Sequence, residues 1–315
     1  MARATANQRP PQNRRPERTG RIEPEVAAIQ ALLGAPGPEA TLNRLLAEQE
    51  AAFHATVPPL GEAAAQLRTT WDRESKTLGK QFLDVVTRWD RGWTPIAADL
   101  HFPSRELLHV FGADRTGTGG DAFYALEWTH IDPFAGTGSF ARADRRTGLM
   151  GAGHYTTSGW LRSFAGIGVR IVPKTGVGML SVRPYVNWSG NDLLQHRVFD
   201  PQLGEQRWAV GLGQVGIIVQ SRLLVGGDFR TDAIHWQDVW HRAELNPQGA
   251  SDHDGTIGSA MGLALEVPAT SERRYSVWIT CNVMVFADPG FAVATRGSAA
   301  ISCAVPFLVV EEKPA

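Results

Sequence analysis

The chain has little of what marks a secreted scaffold, a membrane helix or a dedicated enzyme. Its 315 residues include two cysteines, Cys281 and Cys303, whereas a disulfide-built secreted module carries more of them in a shorter chain. No apolar run approaches the roughly 20 residues of a transmembrane helix. The positive N-terminus has no apolar stretch behind it, so no secretory signal is expected. A cytoplasmic protein is the default expectation, with non-classical release as the alternative. A formal charge of −1 excludes a generally basic nucleic-acid binder and an acidic solvating chain alike. Nucleophile motifs of the Gly-x-Ser-x-Gly type are missing. The glycine-rich loop at 112–121 lacks the Lys-Ser/Thr ending of a phosphate cradle and leads into no helix. No cofactor is expected.

What is present falls into segments. The first residues carry Arg3, Arg9, Arg14, Arg15, Arg18 and Arg21 against Glu17, with almost no apolar side chains, so residues 1–23 read as a disordered arm. Such an arm suits a solubilising tail, or contact with nucleic acid or an anionic surface. Helical signals fill 24–92. Pro24 and Glu25 open one run closed by Gly34, and Pro38 and Glu39 open a second. A third runs from Leu60 to about Trp89, with Leu60, Ala64, Leu67, Trp71, Leu78, Phe82, Val85 and Trp89 mostly three or four apart. Its apolar stripe needs a surface, either the β domain, the preceding helix or another copy. Residues 93–103, with two prolines, read as a linker.

From 104 the period changes to two. Glycine, 33 residues in all, lies mostly beyond residue 110, which suits turns and bulges between strands. The clearest alternation is at 164–172 and 179–188, read as a hairpin around the turn 173–178. Alternation recurs at 275–286 and 299–310, the latter placing Ala299, Ile301, Cys303, Val305, Phe307 and Val309 on one face. If those strands pair around Gly290, Cys281 and Cys303 become near neighbours. Buried free thiols are then expected, with a cross-strand disulfide as the alternative. Many turn-punctuated strands without intervening helices predict an α+β chain by segments: an N-terminal helical region, then an antiparallel, jelly-roll-like β-sandwich over 104–315.

Candidate chemistry is sparse. Tyr155, Trp160, Trp236 and Trp240 lie in or beside turn-rich segments and are the candidate ligand platforms, since aromatic rings stack on sugars and on protein partners. His235 and His241 share one strand parity and Asp232 and Asp238 the other, so they do not converge on a regular strand. A weak metal set remains in His235, His241 and Asp252. His130 and Asp132 sit two apart, a spacing that seldom gives a hydrogen-bonded acid–base pair. The leading expectation is a non-enzymatic binding or structural module. Its sandwich would recognise a protein partner or glycan, and its helices would mediate assembly as a homo-oligomer. The rivals are a self-assembling shell or tail-type protein with a basic arm, a hydrolase built on the sandwich, and a pore-forming protein.

Overall fold

The structure is a computed structural model that describes residues 22–56, 60–89, 108–112, 122–132, 138–199, 201, 206–257, 262–288, 290 and 293–315. The expected arm to residue 21, the linker at 93–103 and the loop residues 113–121 lie outside the described residues. Three helices come first: α1 (Pro24–Leu33), α2 (Pro38–Thr56) and α3 (Glu62–Trp89). Pro24 supplies the first-turn proline of α1, where its missing N–H costs nothing, and Gly34 ends the helix by donating its N–H to the Gln30 carbonyl.

Thirteen strands follow among the described residues. They are β1 (Leu108–Gly112), β2 (Ala122–Phe123), β3 (Leu126–Ile131), β4 (Phe140–Asp144), β5 (Leu149–Thr156), β6 (Gly159–Ile171) and β7 (Val177–Val198). After them come β8 (Trp208–Leu223), β9 (Gly226–Leu245), β10 (Gln248–Ile257), β11 (Leu265–Pro268), β12 (Arg273–Ala287) and β13 (Val293–Pro314). The large sheet runs β10-β7-β13-β1-β2, with β11 also on β7, β5 on β13 and β4 on β5. The small sheet runs β3-β6-β12-β8-β9. Every pairing is antiparallel except β1 with β2, so the described chain is an antiparallel β-sandwich behind N-terminal helices.

Two expected pairings are corrected by this topology. The segments at 164–172 and 179–188 do not form a hairpin, because β6 belongs to the small sheet and β7 to the large one. Likewise β12 and β13 are not partners. Alternation says which residues face a core but not from which side. Ile167 and Val182 do point into the same core, yet from opposite sheets. Cys281 and Cys303 consequently enter the one core from opposite sheets, as buried free thiols.

The core interdigitates Ile167, Val169, Ile217, Val277, Ile279 and Val283 from the small sheet with Leu180, Val182, Ile301 and Val305 from the large one. β13 breaks parity at Val305 and Pro306, where its pairing slips from Ala304↔Asn187 to Phe307↔Tyr185. Beyond that bulge Leu308 and Val310 take the inward positions. Phe307 and Val309 turn to the other face, where Phe307 stacks on Tyr185 at 5.1 Å. A bulge is one of the few places a strand tolerates proline.

The helices are docked on the sandwich. Ile29 of α1 is wholly buried against Leu126, Trp128, Phe164, Ile218 and Trp278 on the outer face of the small sheet. The buried Glu25 carboxylate pairs with Arg170 at 3.1 Å and Arg274 at 3.7 Å. Asn43 of α2 donates its amide to the Trp160 carbonyl at 2.8 Å and accepts the Trp160 N–H at 2.7 Å. Trp160 lies beyond the stretch of β6 that β3 covers, so the side-chain amide takes the place of a neighbouring strand. On the opposite side, Trp71 of α3 packs on Phe199. The Arg296 guanidinium lies 3.8 Å from the Trp71 ring centroid and donates to Ser75 Oγ at 3.2 Å.

His154 on β5 is fully buried, with Nδ1 2.8 Å from Ser139 Oγ. Burial drops its pKa from 6.5 to about 4. Between those values the unfolded chain binds a proton that the folded chain does not, so stability is complete above pH 6.5 and is lost as pH falls towards 4. The loss amounts to roughly 3 kcal/mol over that window. Urea midpoints at stepped pH values should therefore fall more steeply below pH 6.5 for the parent than for a His154→Gln variant.

Candidate functional site

The outer face of the small sheet gathers what a binding surface needs. A register row crosses four of its strands, pairing Phe164 of β6 with Asn282 of β12, Asn282 with Gln214 of β8, and Gln214 with Asp238 of β9. Three of those side chains form one directed chain. Asn282 Nδ2 donates to Gln214 Oε1 at 2.7 Å, and Gln214 Nε2 donates to Asp238 Oδ1 at 2.7 Å. The direction is dictated by chemistry. An ionised carboxylate only accepts, so Gln214 must present its amino group to Asp238 and its carbonyl to Asn282. Asn282 must then offer its own amino group, which leaves its carbonyl oxygen buried without a protein hydrogen bond. Asp238 is exposed, Gln214 half-buried and Asn282 buried, so the row grades from solvent into the sheet.

Aromatic rings flank this row, and glycine makes their arrangement possible. A Cβ on Gly216 would come within 2.4 Å of the Trp236 ring, and one on Gly168 within 3.0 Å of the Trp278 ring. Each indole therefore lies against the sheet where a side chain would otherwise stand. Trp236 packs on Phe164 at 6.1 Å between centroids, and the Arg162 guanidinium sits 4.8 Å from the Phe164 centroid. Trp128 stacks on His130 at 6.0 Å, and burial lowers the His130 pKa against the opposing pull of Asp132. At the other end Trp160 stacks on Phe286 at 4.5 Å. α1 covers the part of the face carrying Trp278, while Trp236 and Trp160 stay half-buried.

The four candidate aromatics are thus divided. Trp160 and Trp236 share this face. Tyr155 is buried on the large sheet, near Ser75 of α3 and Arg296. Trp240 is buried inside the sandwich. A bulge separates Trp236 from Trp240, because β9 pairs Gln214 with Asp238 but Gly213 with Trp240, which leaves Val239 as the extra residue. The same bulge puts His235 and His241 on opposite faces. His235 Nε2 bonds the Gly262 carbonyl at 3.0 Å, and Asp252 lies exposed on β10 of the other sheet. Among the described residues no group of three or more His, Cys, Asp or Glu side chains could hold a metal ion.

A second polar group lies between the sheets. Asp192 on β7 is buried and accepts from Arg242 Nη1 of β9 and from His253 Nε2 of β10, each at 2.8 Å. Arg242 also grips Glu244 through two bonds, and His253 stacks on Trp240 at 5.0 Å. Its members are engaged with one another, and it ties the edges of the two sheets together rather than presenting groups outward.

Sequence reading missed Gln214, Asp238 as a partner, Asn282 and the seat glycines. Their only signal is polar or glycine residues at the outward parity of otherwise apolar strands. Replacing Gly216 with Val should push Trp236 off the sheet. The expected readout is stronger quenching of tryptophan fluorescence by acrylamide, together with a lower unfolding midpoint.

No protein-family model matches the chain, and no curated protein matches it. Among solved structures, TmCBM61 in complex with beta-1,4-galactotriose is similar at 10% identity over 60% of this chain and 91% of that one, with a TM-score of 0.20. A carbohydrate-binding module of the beta-sandwich super family is similar at 8% identity over 62% of this chain and 60% of that one, with a TM-score of 0.23. The Family 11 Carbohydrate-Binding Module from Clostridium thermocellum, in complex with a mixed-linked tetrasaccharide, is similar at 7% identity over 57% of this chain and 97% of that one, with a TM-score of 0.15.

Proposed function

We propose that the protein is a non-catalytic binding module for a neutral carbohydrate, and that its binding surface is the outer face of the small sheet. The observation that carries this is the pairing of Trp236, laid against Gly216, with the directed row Asn282–Gln214–Asp238. A sugar ring offers a C–H face and a rim of hydroxyls. An indole lying along a sheet meets the first, and fixed amide and carboxylate groups meet the second with both donors and acceptors. Half-buried Trp160 and the Arg162 guanidinium extend the same face. In this reading the helices act as brackets on the sandwich, through Ile29 and Asn43 on one side and Trp71 on the other.

Affinity electrophoresis tests the proposal with gels containing beta-1,4-galactan, mixed-linkage beta-1,3-1,4-glucan or xylan. At least one polysaccharide should retard the protein. Trp236→Ala should weaken that retardation about 10-fold or more, the equivalent of roughly 1.4 kcal/mol. Gln214→Ala should weaken it as well, with a lowered unfolding midpoint because the buried Asn282 amide loses its acceptor. Unretarded migration in all three gels, or retardation indifferent to both substitutions, removes the proposal.

A further inference from the structure

We propose that the end of the sandwich bearing the β8–β9 turn docks on an anionic lipid bilayer, with the turn reaching into the acyl boundary. The argument is independent of the carbohydrate site. Leu223 of β8 pairs with Gly226 of β9, so Leu224 and Val225 are the two residues of the turn. Turns of this length are normally made of Asn, Asp and Gly, which suit the backbone and meet water. Here they are aliphatic and bare: Leu223 is 41%, Leu224 52% and Val225 96% exposed. Leu224 is tied to the neighbouring segment through its backbone, donating its N–H to the Glu272 carbonyl at 2.9 Å. Val172, just past β6 and two strands away, is 50% exposed. Glu25 of α1 pairs with Arg170 near the end of β6 and with Arg274 near the start of β12, so α1 begins at this same end. Ile22, immediately before α1, is 59% exposed.

Charge says which surface covers these side chains. Arg222 lies 5.1 Å from the Phe229 ring centroid, and Arg273 donates to Ser221 Oγ at 3.2 Å. Neither guanidinium is paired with a carboxylate among the described residues. Arg230 and Arg274 pair with Asp232 and Glu25, and Asp228 and Glu272 offset the two unpaired arginines. The folded end is therefore close to neutral. Its positive excess comes from residues 1–21, which carry six arginines against Glu17 and join the fold here. A projecting apolar turn beside a polybasic segment matches a bilayer that holds an apolar interior beneath a negative surface. Nucleic acid would meet the arginines and leave the turn in water. A second copy would cover the turn and bring its own arginines against the first set.

The test is co-sedimentation of the full chain with phosphatidylcholine vesicles, with and without phosphatidylserine. The protein should pellet with the vesicles containing phosphatidylserine, and added salt should reduce the pelleted fraction as headgroup charge is screened. Leu224→Ser combined with Val225→Ser should weaken the pelleting about 10-fold or more, because two aliphatic side chains no longer leave water. Both positions are exposed, so the variant keeps the fold. Leu245→Ser, at a leucine as exposed as Leu223 but at the far end of β9, should leave pelleting unchanged. No pelleting with phosphatidylserine vesicles, or pelleting indifferent to the turn variant, overturns the proposal. So does a vesicle-free dimer that the turn variant dissociates, which makes a second copy the occupant.

Discussion

The single extra residue at Val239 decides what each face of the small sheet can do. Strand side chains alternate with a period of two, so an unbroken β9 would send Trp236 and Trp240 to the same side. The bulge turns that constraint around. Trp236 is left outside against Gly216, while Trp240 enters the sandwich, where Gly213 yields it space and His253 stacks on it. Arg242, two residues on, follows Trp240 inward and reaches Asp192. One insertion therefore leaves one indole on the outer face and supplies the ion-paired closure that keeps the sheet edges together. A buried carboxylate such as Asp192 is costly unless its oxygens are engaged, and both are.

The helical segment completes the molecule from outside. Each bracket uses a different interaction: an apolar plug at Ile29, an amide standing in for a strand at Asn43, and a guanidinium over an indole at Trp71. The first plugs the small sheet's aromatic face, and its position beside Glu25 is fixed by Arg170 and Arg274. The open part of that face lies between α1 and the end of β6 held by α2, which is where the Asn282–Gln214–Asp238 row runs.

Much of the fold was legible in the sequence because local rules govern it. Proline and glycine punctuation marked α1 and α2, and clean alternation marked β6, β7, β12 and most of β13. Sheet membership was not legible, since Ile167 and Val182 obey the same alternation whether their strands pair or oppose. β9 escaped as a strand because bulges at Asp232 and Val239 break its period and charged residues populate its free edge, a common defence of edge strands. Of the candidate site, the aromatic residues Trp160 and Trp236 were visible. Gln214 and Asn282 were not, because what makes them a pair is register between strands far apart in the chain.

A ligand received by the outer face of the small sheet, and not by the interior or the α3 side, would meet Trp236 and Trp160 and leave Trp240 and Trp71 untouched. The most direct measurement is an NMR titration of the assigned tryptophan indole N–H signals with an oligosaccharide of whichever polysaccharide binds. Binding at that face gives saturable shifts at Trp236 and Trp160, with Trp240 and Trp71 unmoved. Shifts centred on Trp240 or Trp71, with Trp236 silent, would contradict it.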